Sequence, residues 1–378
     1  MKPLQMVDTK SQYHKIKYEI DNAVIGVMES SQFIGGKAVN DFAQNLAHYH
    51  NVKHVIPCAN GTDALQIALM ALGLQPGDEV IMPSFTYIAT VEVAALLRLK
   101  PVFADVDPKT FCINPVEIEK LISSKTKAIV PVHLYGQAAE MEEIMAIADK
   151  YKIFVIEDNA QAIGNVYTFK NGEKKKTGAI GTIGCTSFYP SKNLGAFGDG
   201  GAITTNDDEL AQKIKMIASH GQSKRYLHDV VGCNSRLDAM QAAILDIKLK
   251  HLDEYNNARR KAADVYDEAF KNHPNISVPY RSESGRHVFH QYTLTLEGIS
   301  RDAMSVYLSE NNIPSMIYYP VPAHRQKMLE AFGGMNYNLP VTDWLTERVI
   351  SLPMHTELDS EQQNYIITHV LKFIESQK

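Results

Sequence analysis

KAIVPVHLYGQAAEMEEIMAIADKYKIFVIED, residues 127–158, decides the fold. Its two ends, KAIVPVHLYG and IFVIED, are β-rich apolar runs that stop at small or polar residues. Between them EMEEIMAIADKY repeats its apolar residues at helical spacing. Strand, helix, strand in that order is a βαβ unit, and its two strands lie parallel in one sheet. The same alternation extends upstream: VKHVIPCAN, DEVIMPS and KPVFADVD read as strands, and TDALQIALMALGL, YIATVEVAALLRL and PVEIEKLISS as the helices between them. Residues 52–210 therefore predict an α/β unit with a mostly parallel sheet flanked by helices. Ligands of such sheets sit beyond the carboxyl ends of the strands. Polar residues just after a strand are the ones to examine.

The alternation breaks at GTIGCTSFYPSKNLGAFGDGGAITTND, residues 181–207, which reads as strand, glycine-rich turn, strand. A long helical stretch follows, from AMQAAILDIKLKHL through NARRKAADVYDEAF. The expected division is a large domain over 1–254 and a smaller C-terminal α+β domain over 255–378. Lys174, Lys175 and Lys176 read as a solvated turn.

At 378 residues with 45% hydrophobic side chains, the chain is long enough for two packed cores. A net charge of −5 offers no general attraction to nucleic acid or to an anionic membrane. The four cysteines are scattered, with neither a C-x-x-C pair nor zinc spacing, so reduced thiols and no metal site are expected. The N-terminus lacks the apolar stretch of a signal peptide, and no segment approaches the ~20 apolar residues of a membrane span. The chain reads as cytoplasmic.

Lys192 lies in SFYPSKNLG, between two apolar strands. Held there, its amine is desolvated, its pKa falls, and it becomes a nucleophile able to form an imine with an aldehyde. Alone it would read as a surface lysine in a turn; its neighbours alter that. Asp158 ends the apolar strand IFVIED, where a buried carboxylate needs a cationic or hydrogen-bonding partner. A protonated pyridine nitrogen would serve; a helix cap is the plainer alternative. Gln161, three residues on, could reach a ring hydroxyl. Asn60-Gly61-Thr62 joins a strand to a helix whose free N–H groups make a phosphate site. Ser187 lies five residues before Lys192, and Tyr87, after another strand, is placed to stack on a flat ring. The glycines from 195 to 201 do not form the G-x-G-x-x-G fingerprint, so a nicotinamide site fits poorly.

ANGTDAL, GDEVIMPSFTY, PVHLYGQ, VIEDNAQA, SFYPSKNLGAFGDGGA and GCNSRLDAMQAAIL, in this order, resemble the DegT/StrS sugar aminotransferases, fold-type I pyridoxal-phosphate enzymes. The resemblance spans nearly the whole chain and is most specific through residue 250. It implies Lys192 as the cofactor-bearing lysine and proton shuttle, and Asp158 on the pyridine nitrogen. It further implies Gln161 on the ring hydroxyl, Tyr87 stacked on the ring, and Gly61, Thr62 and Ser187 on the phosphate of pyridoxal 5'-phosphate. Asn234 would reach the cofactor phosphate of a second subunit, so a homodimer with shared active sites is implied. Some members carry histidine at the lysine position and act as dehydratases; lysine argues for transamination.

A narrower resemblance, through HGQ (220–222), Arg225-Tyr226, His228, Val231-Gly232 and SLPMH (351–355), is to members acting on UDP-2-acetamido-2-deoxy-3-oxo-glucuronate in O-antigen sugar synthesis. It implies that Arg236, Tyr318, Tyr319 and His324 line the nucleotide-sugar pocket, with L-glutamate as amino donor. Two positions depart from the family pattern. Tyr318-Tyr319-Pro320 stands where members usually read His-Tyr-Pro, and Asn159 replaces the alanine of EDAAQ. Three alternatives stay open: a transaminase for a dTDP-linked keto-6-deoxyhexose, a lyase or dehydratase, and a non-catalytic regulator that binds a sugar nucleotide.

Overall fold

In the computed structural model, which describes residues 2–333 and 336–377, three helices lead into the sheet: α1 (Thr9–Lys15), α2 (Lys17–Ser30) and α3 (Gly36–His50). Strand and helix then alternate as β1 (His54–Cys58), α4 (Gly61–Ala71), β2 (Glu79–Pro83), α5 (Ala89–Leu96), β3 (Lys100–Ala104), α6 (Pro115–Leu121), β4 (Thr126–Ile129), α7 (Met141–Tyr151) and β5 (Phe154–Asp158). A small hairpin, β6 (Val166–Thr168) with β7 (Lys174–Lys176), precedes β8 (Ile183–Ser187) and β9 (Gly201–Thr205). The seven large strands lie in the order β1-β9-β8-β5-β4-β2-β3, all parallel except β9, which runs antiparallel to both its neighbours. This is the expected α/β sheet.

The strands are apolar on both faces because helices cover both. Val80, Met82, Ala128 and Ile156 pack on one side with Ala64, Leu65, Val91 and Ile214. Ile81, Ile129 and Val155 pack on the other with Ile118, Ile144 and Ala148. Successive residues point to opposite faces, so adjacent apolar residues feed different cores.

Two local expectations needed correction. The run KAIVPVHLYG is not one strand: β4 stops at Ile129, and Leu134–Gly136 forms a 3-10 turn with Tyr135 at φ 56°. Pro131 has no N–H for a ladder, although its carbonyl still accepts from the Asp158 amide at 2.9 Å. The lysine run 174–176 is a hairpin strand rather than a bare turn, because it pairs antiparallel with Val166–Thr168; the Lys176 ammonium also donates to the Tyr49 carbonyl at 2.6 Å and lies over that residue's ring.

Beyond β9 come α8 (Asp208–Ala218), an exposed hairpin of β10 (Gln222–Lys224) and β11 (Leu227–His228), then α9 (Ala239–Lys250) and α10 (Leu252–Phe270). The last part holds β12 (Ile276–Ser277), β13 (Tyr292–Leu296), α11 (Arg301–Glu310), α12 (Pro340–Thr346), β14 (Val349–Leu352) and α13 (Ser360–Glu375). Its three-stranded antiparallel sheet, β12-β13-β14, has its own core of Tyr266, Phe270, Leu294, Met304, Ile366 and Val370. Helix α10 runs unbroken through the expected 254/255 boundary. Ala323, Leu329 and Leu345 of the later chain pack back into the two cores of the large sheet.

Candidate active site

The parallel strands end on one edge, and a cavity of about 720 Å³ opens there. Asp158 closes β5, Ser187 closes β8, and beyond β1 come Asn60, the cap of α4, and Gly61 and Thr62, its first two residues. Gly201, which starts β9, pairs with both Ser187 and Cys58. A side chain at Gly201 would come within 2.5 Å of the Asn60 carbonyl, so the close approach needs glycine. Gly61 is equally constrained: a Cβ there would meet the Ser187 Cβ at 2.7 Å.

Lys192 stands in the loop between β8 and β9, and that loop is fixed from several sides. Its own amide donates to the Tyr189 carbonyl at 2.8 Å, and Ala196 N donates to Phe188 O at 2.7 Å. The Asn193 amide donates to Asn256 Oδ1 at 2.7 Å and to the Val288 carbonyl at 2.9 Å. Lys248, buried on α9, donates to the Gly195 carbonyl. Burial in this site pulls the Lys192 ammonium down from 10.5 to about 8, against the opposing charge of Asp158. Roughly a tenth of the amine is thus unprotonated and nucleophilic at pH 7, far more than of an ordinary lysine.

Asp158 is buried, accepts from the Thr90 hydroxyl at 2.8 Å and from the Ala160 amide at 3.1 Å, and pairs with no cation among the described residues. Burial raises its pKa; the Thr90 and Ala160 bonds and the Lys192 charge act the other way. Gln161 accepts from the Tyr135 amide at 2.7 Å and donates to the Tyr319 hydroxyl at 3.1 Å. Tyr87 is 57% exposed at the rim, with its ring centroid 6.1 Å from that of Tyr319. Asn60 caps α4 by accepting from Asp63 N at 2.8 Å. Among the described residues the Gly61 and Thr62 amides have no acceptor within the chain, and the Ser187 hydroxyl, which accepts from Tyr189 N at 3.3 Å, keeps its own proton to give.

The structure thus brings Gly61, Thr62, Tyr87, Asp158, Gln161, Ser187, Lys192, Tyr318 and Tyr319 to one cavity. Three expected residues lie elsewhere in the chain. Asn234 and Arg236 are exposed and do not line it. His324 is the clear departure: its ring is fully buried, 2.7 Å from the Ser84 hydroxyl and against Phe103, so it faces the core and not the pocket. Asn159 likewise turns into the sheet, donating to Thr186 Oγ1 at 3.3 Å. The sequence reading missed Thr90, which holds Asp158, and His290 and Gln291, which line the cavity. Their signal was faint, because Thr90 lies inside a helix and His290-Gln291 lies just before a strand of the C-terminal part, far along the chain from Lys192.

A group with an aldehyde, a ring nitrogen and a phosphate fits these residues. The amine at about 8, the uncompensated buried carboxylate and the open helix N-terminus each lack one partner, and pyridoxal phosphate supplies all three. Comparison with known proteins decides the family. The DegT/DnrJ/EryC1/StrS aminotransferase family matches residues 14–371.

The chain belongs to that family. It is similar to a pleiotropic regulatory protein of Geobacillus stearothermophilus, 46% identical over 97% of this chain and 98% of that one. It is also similar to the UDP-2-acetamido-2-deoxy-3-oxo-D-glucuronate aminotransferase of Pseudomonas aeruginosa, 45% identical over 94% and 96%. A third relative, the UDP-N-acetyl-3-dehydro-alpha-D-glucosamine 3-aminotransferase of Acidithiobacillus ferrooxidans, is 44% identical over 97% and 96%. Among solved structures, Bacillus subtilis NtdA with bound pyridoxamine phosphate superposes at a TM-score of 0.88, 33% identical over 96% of this chain and 82% of that one. This sugar aminotransferase-family member is an aminotransferase of fold-type I, and its cofactor is pyridoxal phosphate.

Proposed function

We propose that this chain moves the amino group of L-glutamate to the keto carbon of a nucleotide-linked sugar, with UDP-2-acetamido-2-deoxy-3-oxo-glucuronate as acceptor. The observation that carries the reading is the convergence of Lys192, Asp158 and the α4 N-terminus on one cavity. The acceptor is argued from two relatives, whose names both specify a 3-keto UDP sugar. The product would serve cell-surface polysaccharide synthesis, such as O-antigen assembly, in the cytoplasm.

Bound pyridoxal phosphate supplies an electron-withdrawing ring that accepts the charge left when a proton leaves the amino carbon. Lys192 moves that proton. Its amine would take the proton from Cα of the donor and, in the second half-reaction, would give one to the amino-bearing carbon of the sugar. Asp158, buried and anionic once it faces a cation, keeps the ring nitrogen protonated. Gly61, Thr62 and Ser187 would hold the phosphate, Gln161 would donate toward the ring hydroxyl, and Tyr87 would cover the ring. Tyr318 and Tyr319 form the wall toward the sugar.

The charge balance argues for a second copy at each site. Among the described residues Lys192 is the one lysine or arginine lining the cavity, against Asp63, Asp158 and Asp199. A diphosphate with the uronate carboxylate, and in its turn glutamate with two carboxylates, need more positive charge than that. Exposed Arg236 of a second subunit would provide it and exposed Asn234 would add a neutral hydrogen-bond donor, with the outward apolar residues Ile25, Met28, Phe33 and Phe197 buried between the copies.

The test is a glutamate-dependent amination screen over nucleotide keto-sugars, read by mass spectrometry. A mass change for the UDP-linked 3-keto uronate above all others supports the reading. Turnover of dTDP-linked 6-deoxyhexoses alone, or loss of water without amino transfer, overturns it.

A further inference from the structure

Strand β5 ends on two carboxylates, and the alternation of the strand sends them to opposite faces. Ile156 packs with the core on the side of α4, and Asp158 looks into the cavity beside it. Val155 packs on the other side, and Glu157 follows it there. Glu157 is fully buried and accepts four hydrogen bonds: from Gly178 N, Ile180 N and Gly181 N, each at 2.7 Å, and from His133 Nε2 at 2.9 Å.

His133 is also fully buried, and its other nitrogen, Nδ1, accepts from Ala139 N at 3.1 Å. That bond fixes the tautomer: Nε2 carries the hydrogen and gives it to Glu157. One imidazole therefore bridges β5 to the far end of the turn 133–139. Inside the turn Tyr135 holds φ 56°, a left-handed backbone that a bulky residue keeps only where its surroundings enforce it. This backbone aims the Tyr135 amide at Gln161 Oε1, at 2.7 Å. That bond sets the orientation of the amide, so Gln161 turns its NH₂ toward the cavity, where one of the two hydrogens goes to Tyr319 and the other remains to give.

We propose that the buried His133–Glu157 pair is a positioning device for Gln161: by bracing the turn that carries Tyr135, it makes the Gln161 side chain a hydrogen-bond donor toward the bound cofactor. The inference rests on the reading of Gln161 as a contact of the cofactor's ring hydroxyl. Neither His133 nor Glu157 touches the cavity. They act through the backbone of the turn, and histidine suits the place because one ring offers a donor and an acceptor on separate atoms.

The experiment is a double-mutant cycle on pyridoxal-phosphate binding to the full chain, read as the dissociation constant and as the wavelength of the bound cofactor's absorption band. Gln161→Ala should weaken binding about two- to tenfold, the range of one lost hydrogen bond, and move the band. His133→Leu should move both readouts the same way, and the double variant should go no further than Gln161→Ala alone. His133→Gln, which keeps a donor and an acceptor, should stay near the wild type, while His133→Asn, too short to span both partners, should follow His133→Leu. This second pair makes the comparison if the leucine variant does not fold. Effects of His133→Leu and Gln161→Ala that simply add, or a His133→Asn protein with wild-type affinity and band, would overturn the proposal. If Gln161→Ala itself binds as the wild type does, the Gln161 contact is wrong and the inference falls with it. If only the His133 variants are silent, the contact stands and the inference alone falls.

Discussion

Lys192 is a residue whose chemistry and folding cost share one cause. Desolvation that frees its amine for reaction also makes it an unfavourable ammonium to bury. Replacing it with alanine should lower the single-turnover rate with glutamate by at least the ~10²–10⁴-fold that proton transfer contributes, because the covalent anchor is lost as well. The stability consequence has a definite sign. The folded pKa, about 8, lies below the unfolded 10.5, so the unfolded chain binds more protons between those values. The stability of the cofactor-free protein therefore rises with pH across that window, and the penalty is fully present below it. A Lys192→Met variant without cofactor should melt above the wild type at pH 7, by on the order of a degree or two. The gap should close as pH climbs from about 8 toward 10.5. Calorimetry at several pH values checks this; a constant gap would refute it.

Two elements hold the cavity's parts in register, and each can be tested. The N-terminus of α4 meets β8 so closely that Gly61→Ala must push the two apart, since its Cβ would stand 2.7 Å from that of Ser187. The two sides of the phosphate cradle would then separate, and pyridoxal phosphate should bind about tenfold more weakly by fluorescence titration, the cost of roughly one phosphate hydrogen bond. On the opposite side, α10 fixes the Lys192 loop through Asn256, which accepts from Asn193 at 2.7 Å and donates to the Ile163 carbonyl at 3.1 Å. Asn256→Leu takes the partner from the Ile163 carbonyl and from one N–H of the Asn193 amide, whose bond to Val288 remains, at a total cost of about 1–3 kcal/mol. Hydrogen exchange should quicken across residues 188–200, with the rest of the large sheet unchanged.

At the scale of the molecule, the shared-site reading makes a quantitative claim. Lys192→Ala and Arg236→Ala subunits should each be nearly inactive alone. Mixed at random into dimers, they would rebuild one intact site in half of the assemblies, about a quarter of wild-type activity. Mixtures no more active than the separate variants would mean that Arg236 serves its own chain or none. The same scale explains why His324 disappointed its expectation. The YYPVPAHRQ segment returns from the C-terminal part to the large sheet, where Ala323 N donates to the Ser84 carbonyl at 2.9 Å and His324 N to the Ser84 hydroxyl at 3.0 Å. Its tyrosines face the cavity, and its histidine pins the segment to the sheet.

The sequence by itself determined the alternating α/β order, the parallel sheet and the residues at strand ends that make the cofactor cavity. These follow from periodicity and from chemistry local to a few residues, and Lys192, Asp158, Gly61 and Thr62 each stand in a stretch whose role is set within about ten neighbours. Tertiary structure alone decided which face His324 presents, that Thr90 supports Asp158, and that His290 and Gln291 join the wall. It alone also brought His133 and Glu157 together beneath the turn that orients Gln161. Those facts depend on contacts between segments 24 to 240 residues apart, and no spacing along the chain records where such segments meet.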